Sequence, residues 1–124
     1  MLKNDFYTIS KFNRLENKRT GIFKLNPSHP IFEGHFPEIP IVPGVVLMQM
    51  IKEVLEEDFA SSLIMIEAKN VKFLDFINPK EVSELNFEII VKSEEPESLK
   101  IQAIISSKKA SHFKLSANYK LIKE

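Results

Sequence analysis

The chain has 124 residues, 44% of them hydrophobic, with 17 basic and 17 acidic side chains and a formal net charge of zero. That length suits one domain spanning 1–124, and balanced, interspersed charge argues against a nucleic-acid partner, which needs a basic face. The lack of cysteine excludes a disulfide framework, a thiolate nucleophile and a cysteine metal site.

The opening residues Met1 to Phe6 hold no apolar signal-peptide core, and no apolar run approaches a membrane span. A soluble, cytoplasmic protein with no membrane partner is the expectation. Asp5 to Asn13 carries Phe6, Ile9 and Phe12 among polar residues and reads as a strand or a short helix, with strand preferred. Arg14 to Arg19 is polar and turn-like. Thr20 to Leu25 alternates as a short strand, which Asn26-Pro27-Ser28 ends.

The stretch from His29 to Glu53 holds four of the seven prolines. Pro30, Pro37, Pro40 and Pro43 forbid regular helix before Gly44, because each fixes its own φ and biases its predecessor toward extended geometry. After Gly44 comes an unbroken apolar run, Val45, Val46, Leu47, Met48, Met50, Ile51, Val54 and Leu55, predicting a buried helix from about Gly44 to Glu57. Helix starts leave amides unpaired and carry the positive end of the macrodipole. The Gly44 and Val45 amides are therefore candidates for holding a carbonyl oxygen that gains negative charge, and Gly44 has no side chain to keep a ligand away. His35, on the proline-stiffened loop, is the side chain of this stretch suited to act as a base near neutral pH. A base beside an oxyanion donor suits proton abstraction next to a thioester or another carbonyl. The bland alternatives are a backbone-bonded loop histidine and a turn glycine.

Ser62 to Phe73 reads as a long strand whose apolar start, Leu63 to Ile66, lacks alternation, as expected for burial on both faces. Asn78-Pro79-Lys80 is a turn. Three alternating segments follow, with Leu85, Phe87, Ile89 and Val91 on one face, then Leu99, Ile101, Ala103 and Ile105, then Phe113, Leu115, Ala117, Tyr119 and Leu121. Glu94 to Glu97 and Ser106 to Ala110 make the intervening turns. His112 falls on the polar side of the last strand and is expected at the surface. The predicted fold is α+β, one antiparallel sheet curled around one apolar helix.

The run Gly34 to Val45, G-H-F-P-x-x-P-x-x-P-G-V, resembles the active-site signature of bacterial 3-hydroxyacyl-acyl-carrier-protein dehydratases of the FabZ/FabA type. Asn70 to Glu81 is similar to the family's second conserved segment, with Pro79-Lys80-Glu81 where the family usually has Pro-Gly-Asp. The resemblance covers about Phe6 to Leu121 and implies a hotdog fold. It implies that His35 is the catalytic histidine, oriented by the carbonyl of Ile41 or Val42, and that the Gly44 amide polarises the thioester. The family places Glu or Asp fourteen residues after that histidine, where this chain has Gln49. An amide has no carboxylic proton to give and can only hydrogen-bond the leaving hydroxyl or a water. Glu53, one turn on, is a possible substitute acid; its bland reading is a solvated charge beside Lys52, Glu56 and Glu57.

Phe36, Val45, Met48, Met50, Phe73 and Phe76 are expected to line an apolar acyl tunnel. The resemblance further implies an acyl-carrier-protein or coenzyme A thioester as substrate, and no cofactor or metal, the phosphopantetheine arm belonging to the substrate. It implies a homodimer, or a multiple of one, with the active site at the dimer interface. Two other readings stay open: a hotdog thioesterase, and a non-catalytic acyl or carrier-protein binder that is half of a heteromeric dehydratase. Lys72, Lys80, Lys108 and Lys109 are candidate carrier contacts or plain solubilising charges. His29 reads as a loop residue bonded to backbone, and its spacing from His35 is a weak metal signal.

Overall fold

A computed structural model describes residues 2–32 and 41–122. Two strands, β1 (Tyr7–Leu15) and β2 (Lys18–Leu25), precede a 3-10 turn at Pro30–Phe32 and the helix α1 (Gly44–Phe59). Four strands follow: β3 (Ser62–Phe73), β4 (Glu84–Glu95), β5 (Ser98–Ser106) and β6 (Ser111–Ile122). All six strands form one antiparallel sheet in the order β1-β2-β4-β5-β6-β3. The turn-like segment before Arg19 is narrower than the sequence suggests, because β1 runs on to Leu15 and pairs Leu15 with Lys18.

The alternation of β4, β5 and β6 is realised residue by residue. Leu85, Phe87, Ile89, Leu99, Ile101, Ala103, Ile105, Phe113, Leu115, Ala117 and Tyr119 are all buried in one core. The helix supplies the other half of that core with Val46, Leu47, Met50, Ile51, Val54 and Leu55, spaced three and four apart so that they share one stripe. Burying each such side chain contributes about 1.5–3 kcal/mol relative to leaving it in water. Gly21 on β2 lets the Phe87 ring lie on the backbone, since a Cβ there would come within 2.6 Å of it.

One expectation fails at β3. The strand has the expected bounds but is not buried on both faces. Among the described residues it is the sheet's edge, paired only with β6, and Ile64, Ile66 and Phe73 are exposed.

The helix is fixed at its far end. Ala60 adopts the left-handed conformation (φ 50°) and returns its amide to the Glu57 carbonyl, while Ser61 N–H reaches Glu56 O at 3.1 Å. Arg19, buried on β2, donates through Nε to Asp58 Oδ2 at 2.7 Å and lies over the Phe59 ring. At the near end, Val42 N–H bonds Ile77 O at 3.0 Å, tying the segment before the helix to the β3–β4 connection.

Candidate active site

The tie between Val42 and Ile77 forms one wall of a cleft of about 540 Å³. The start of the helix (Pro43, Gly44, Val45, Leu47) faces the end of β3 and the segment after it (Phe73, Leu74, Asp75, Phe76), with His112 of β6 beside them. The walls are mostly hydrocarbon, as an acyl chain would require. Gly44, Val45, Phe73 and Phe76, all singled out from the sequence, meet here. Phe36 and His35, like Glu33, lie outside the described residues.

Gly44 opens the helix with extended Pro43 before it (φ −63°, ψ 144°) and no side-chain cap. Val46 N–H folds back onto Pro43 O at 3.0 Å. Among the described residues, no backbone carbonyl accepts from the Gly44 or Val45 amide. These are the groups that could receive a ligand oxygen. The space above Gly44, expected open, is filled by the Phe73 ring, which would stand 2.3 Å from a Cβ built there. That ring is 60% exposed and lies tilted at 31° to the Phe113 ring, their centroids 5.3 Å apart. A ligand reaching the Gly44 amide displaces an aromatic side chain, not backbone.

His112 is not at the surface. It is 2% exposed, because the β5–β6 hairpin folds over it. Nδ1 lies 3.3 Å from the Asp75 carbonyl and Nε2 lies 2.7 Å from Ser107 Oγ. A carbonyl only accepts, so a neutral ring carries its proton on Nδ1 and accepts from the Ser107 hydroxyl through Nε2. His112, which the sequence puts at the surface, and the exposed Asp75 carboxylate, which it does not single out, are polar groups of the cleft. Strict alternation hid His112: neighbouring Phe113 faces the core, yet both are buried at the strand's first turn.

Gln49 and Glu53 are elsewhere. Gln49 lies five positions after Gly44, a rotation of about 140° around the helix, so the two face different ways. Gln49 is partly buried and its Nε2 donates to Glu53 Oε2 at 2.9 Å. Glu53 is not a solvated charge; it is 1% exposed. It accepts from Leu2 N–H at 3.0 Å, Lys3 N–H at 3.0 Å and Tyr7 Oη at 2.9 Å as well. Burial pushes its carboxyl up, but the Leu2 amide, Gln49, Tyr7 and the Lys3 amide outweigh burial and hold it below the usual glutamate value. An ionised carboxylate with its lone pairs engaged is poorly suited to the role of substitute acid.

Met48 is partly buried against the core and is not part of the cleft wall, and Met50 is wholly within the core. His29 behaves as the sequence suggests: its Nδ1 accepts from Ile31 N–H at 3.1 Å, and it adds a 3.1 Å contact between Nε2 and Asp5 Oδ2. No cluster of three potential metal ligands exists among the described residues. Nor is any described helix long and apolar enough to cross a membrane.

Residues 12–118 match the family model of ApeI-like proteins, described as ApeI dehydratase. A 3-hydroxyacyl-[acyl-carrier-protein] dehydratase FabZ from Ruminiclostridium cellulolyticum is 28% identical over 114 residues, 85% of this chain and 80% of that one. Another FabZ, from Chlamydia caviae, is 29% identical over 98 residues, 72% of this chain and 64% of its own. Among solved structures, the dehydratase heterocomplex ApeI:P from Xenorhabdus doucetiae superposes with a TM-score of 0.70 at 18% identity, covering 94% of this chain and 98% of that one. A hypothetical thioesterase with coenzyme A from Streptococcus pneumoniae gives 0.67 at 8% identity, covering 95% and 87%. The sheet around one helix is the hotdog fold that these share, and the chain belongs to the ApeI-like dehydratase family.

Proposed function

We propose that the protein dehydrates a 3-hydroxyacyl thioester, carried by acyl-carrier protein or coenzyme A, to the trans-2-enoyl thioester. The single observation that carries this is the helix start: Gly44, nine residues after His35 in the sequence, lines an apolar cleft, with the Phe73 ring over it. His35 removes the C2 proton, and the Gly44 amide holds the thioester oxygen as it gains charge. Gln49 bonds the C3 hydroxyl as it leaves. Val45, Phe73 and Phe76 line the acyl path, with Phe36 and Met48 as further contacts. No cofactor takes part, since the phosphopantetheine arm arrives with the substrate.

The site is shared between two chains. Gly44 and Gln49 point to different sides of one helix, which suits a site that takes the histidine from one protomer and the helix residue from another. The exposed apolar edge at β3, with Ile64 and Ile66, is the surface through which such protomers join. A second reading is favoured by Gln49 itself: the chain is one half of a heteromeric dehydratase whose other subunit brings a carboxylic acid.

The test is enoyl formation from a 3-hydroxyacyl-carrier protein. Under the first reading the purified chain turns over alone, and His35→Ala lowers kcat by about 10²–10⁴-fold. Under the second, the chain is inert alone and Gln49→Glu gains activity. Release of free acid from acyl thioesters in place of dehydration would indicate a thioesterase.

A further inference from the structure

The geometry points to Glu53 as a positioning residue that fixes the orientation of the Gln49 amide by taking one of its two N–H donors. This rests on the dehydratase reading for its chemical meaning, but not for its geometry. The argument begins with the acceptor. Glu53 is buried and takes hydrogen bonds from two backbone amides, the Tyr7 hydroxyl and Gln49. Backbone N–H groups only donate, so the carboxylate must accept, and the Gln49 group facing it must be the amide nitrogen. The usual freedom of a glutamine amide to turn over is thereby removed. Oε1 of Gln49 stays free to accept, and the second N–H remains a donor that cannot be given up as an acid proton.

Residue 49 then receives a hydrogen bond from the substrate's C3 hydroxyl and gives it no proton. Glu53 gives none either. Elimination consequently runs on one base. The C2–H electron pair becomes the new C2–C3 π bond, and the C3–O bond breaks with its electrons on oxygen. The proton taken from C2 is returned to that oxygen, which releases water and regenerates the base. Gln49 serves to aim the hydroxyl at that base.

Two measurements test this, one independent of turnover. In ¹⁵N-labelled protein, the side-chain amide of Gln49 is followed by NMR from neutral to acid pH. Its resonance is expected to move as Glu53 protonates, and its protons to exchange with solvent at least about tenfold more slowly than those of exposed glutamines. Other charged or titratable groups near Glu53 are Tyr7, Glu57 and the Lys3 ammonium, which pairs with Glu57. Glu53→Gln must abolish the acid movement. Tyr7→Phe, which removes one other donor to Glu53, must keep it, so the pair is tested even if Glu53→Gln fails to fold. A Gln49 amide that ignores acid and exchanges freely overturns the inference.

The second measurement is the pH profile of kcat/KM. The one-base scheme gives a single rising limb to a plateau, and Gln49→Glu adds a falling limb. A bell-shaped wild-type profile overturns the scheme. Wild-type protein that shows the NMR signature but no turnover removes the reading of a dehydratase that works alone and leaves the Glu53–Gln49 pair standing.

Discussion

Glu53 is ionised inside the protein, and this gives stability a definite acid limb. Its folded value lies below the ordinary glutamate value of 4.5, so the unfolded chain binds the proton more readily. The stabilisation is fully present above about 4.5 and is lost as the pH falls through the lower folded value. Urea midpoints measured from pH 6 downward should fall on the acid side, and the fall attributable to this group should vanish in Glu53→Gln. Tyr119 sets a limit at the other end. Burial, with the Glu56 carboxylate adding to it, pushes its hydroxyl from 10.0 up to about 12. Its contribution is present below pH 10 and lost toward 12. Among the described residues, the Tyr119 hydroxyl has no hydrogen-bond partner. Removing a buried group that bonds nothing costs little, so Tyr119→Phe should be neutral or stabilising by up to about 1 kcal/mol in thermal unfolding. Glu53 was hard to place from sequence because Lys52, Glu56 and Glu57 surround it. Helical geometry decided otherwise: it sits four residues before Glu57 but also four after Gln49, on the side that the N-terminal segment covers.

The elements were legible where one face meets water and the other does not. In β4, β5 and β6, polar residues mark the outer face and give the period directly. The helix was legible from its unbroken apolar run, though its end was placed two residues early, at Glu57 rather than Phe59. β3 was legible as a strand but not as an edge, since an apolar run looks the same whether a second sheet face or another chain covers it. At the helix end, Ala60 holds a positive φ that suits glycine better. Ala60→Gly should raise stability by up to about 1 kcal/mol, read as a higher denaturant midpoint with an unchanged slope. Arg19 and Asp58 are both nearly fully buried and bonded to each other. Arg19→Ala leaves the Asp58 charge with only the half-exposed Arg14, 3.4 Å away, and should destabilise by about 3–5 kcal/mol.

At the scale of the whole molecule, both edges of the sheet carry exposed apolar side chains. β1 ends it with Phe12 at 45% and Leu15 at 65% exposure among the polar Lys11, Asn13 and Arg14. β3 ends it with Ile64 at 53% and Ile66 at 62% exposure. An apolar edge with free backbone groups invites another strand. Ile66→Lys should leave the fold intact by circular dichroism and lower the oligomer mass in sedimentation. Under the shared-site reading, it should also abolish turnover without touching either catalytic group. An unchanged mass would direct attention to another surface. The same edge bears on how the chain survives in dilution. If the β3 border is completed by association, folding and assembly are linked by mass action. Unfolding temperature would then climb with protein concentration, and a scarce chain would unfold more readily than an abundant one. How much of the protein is made would thus help determine how long each copy lasts.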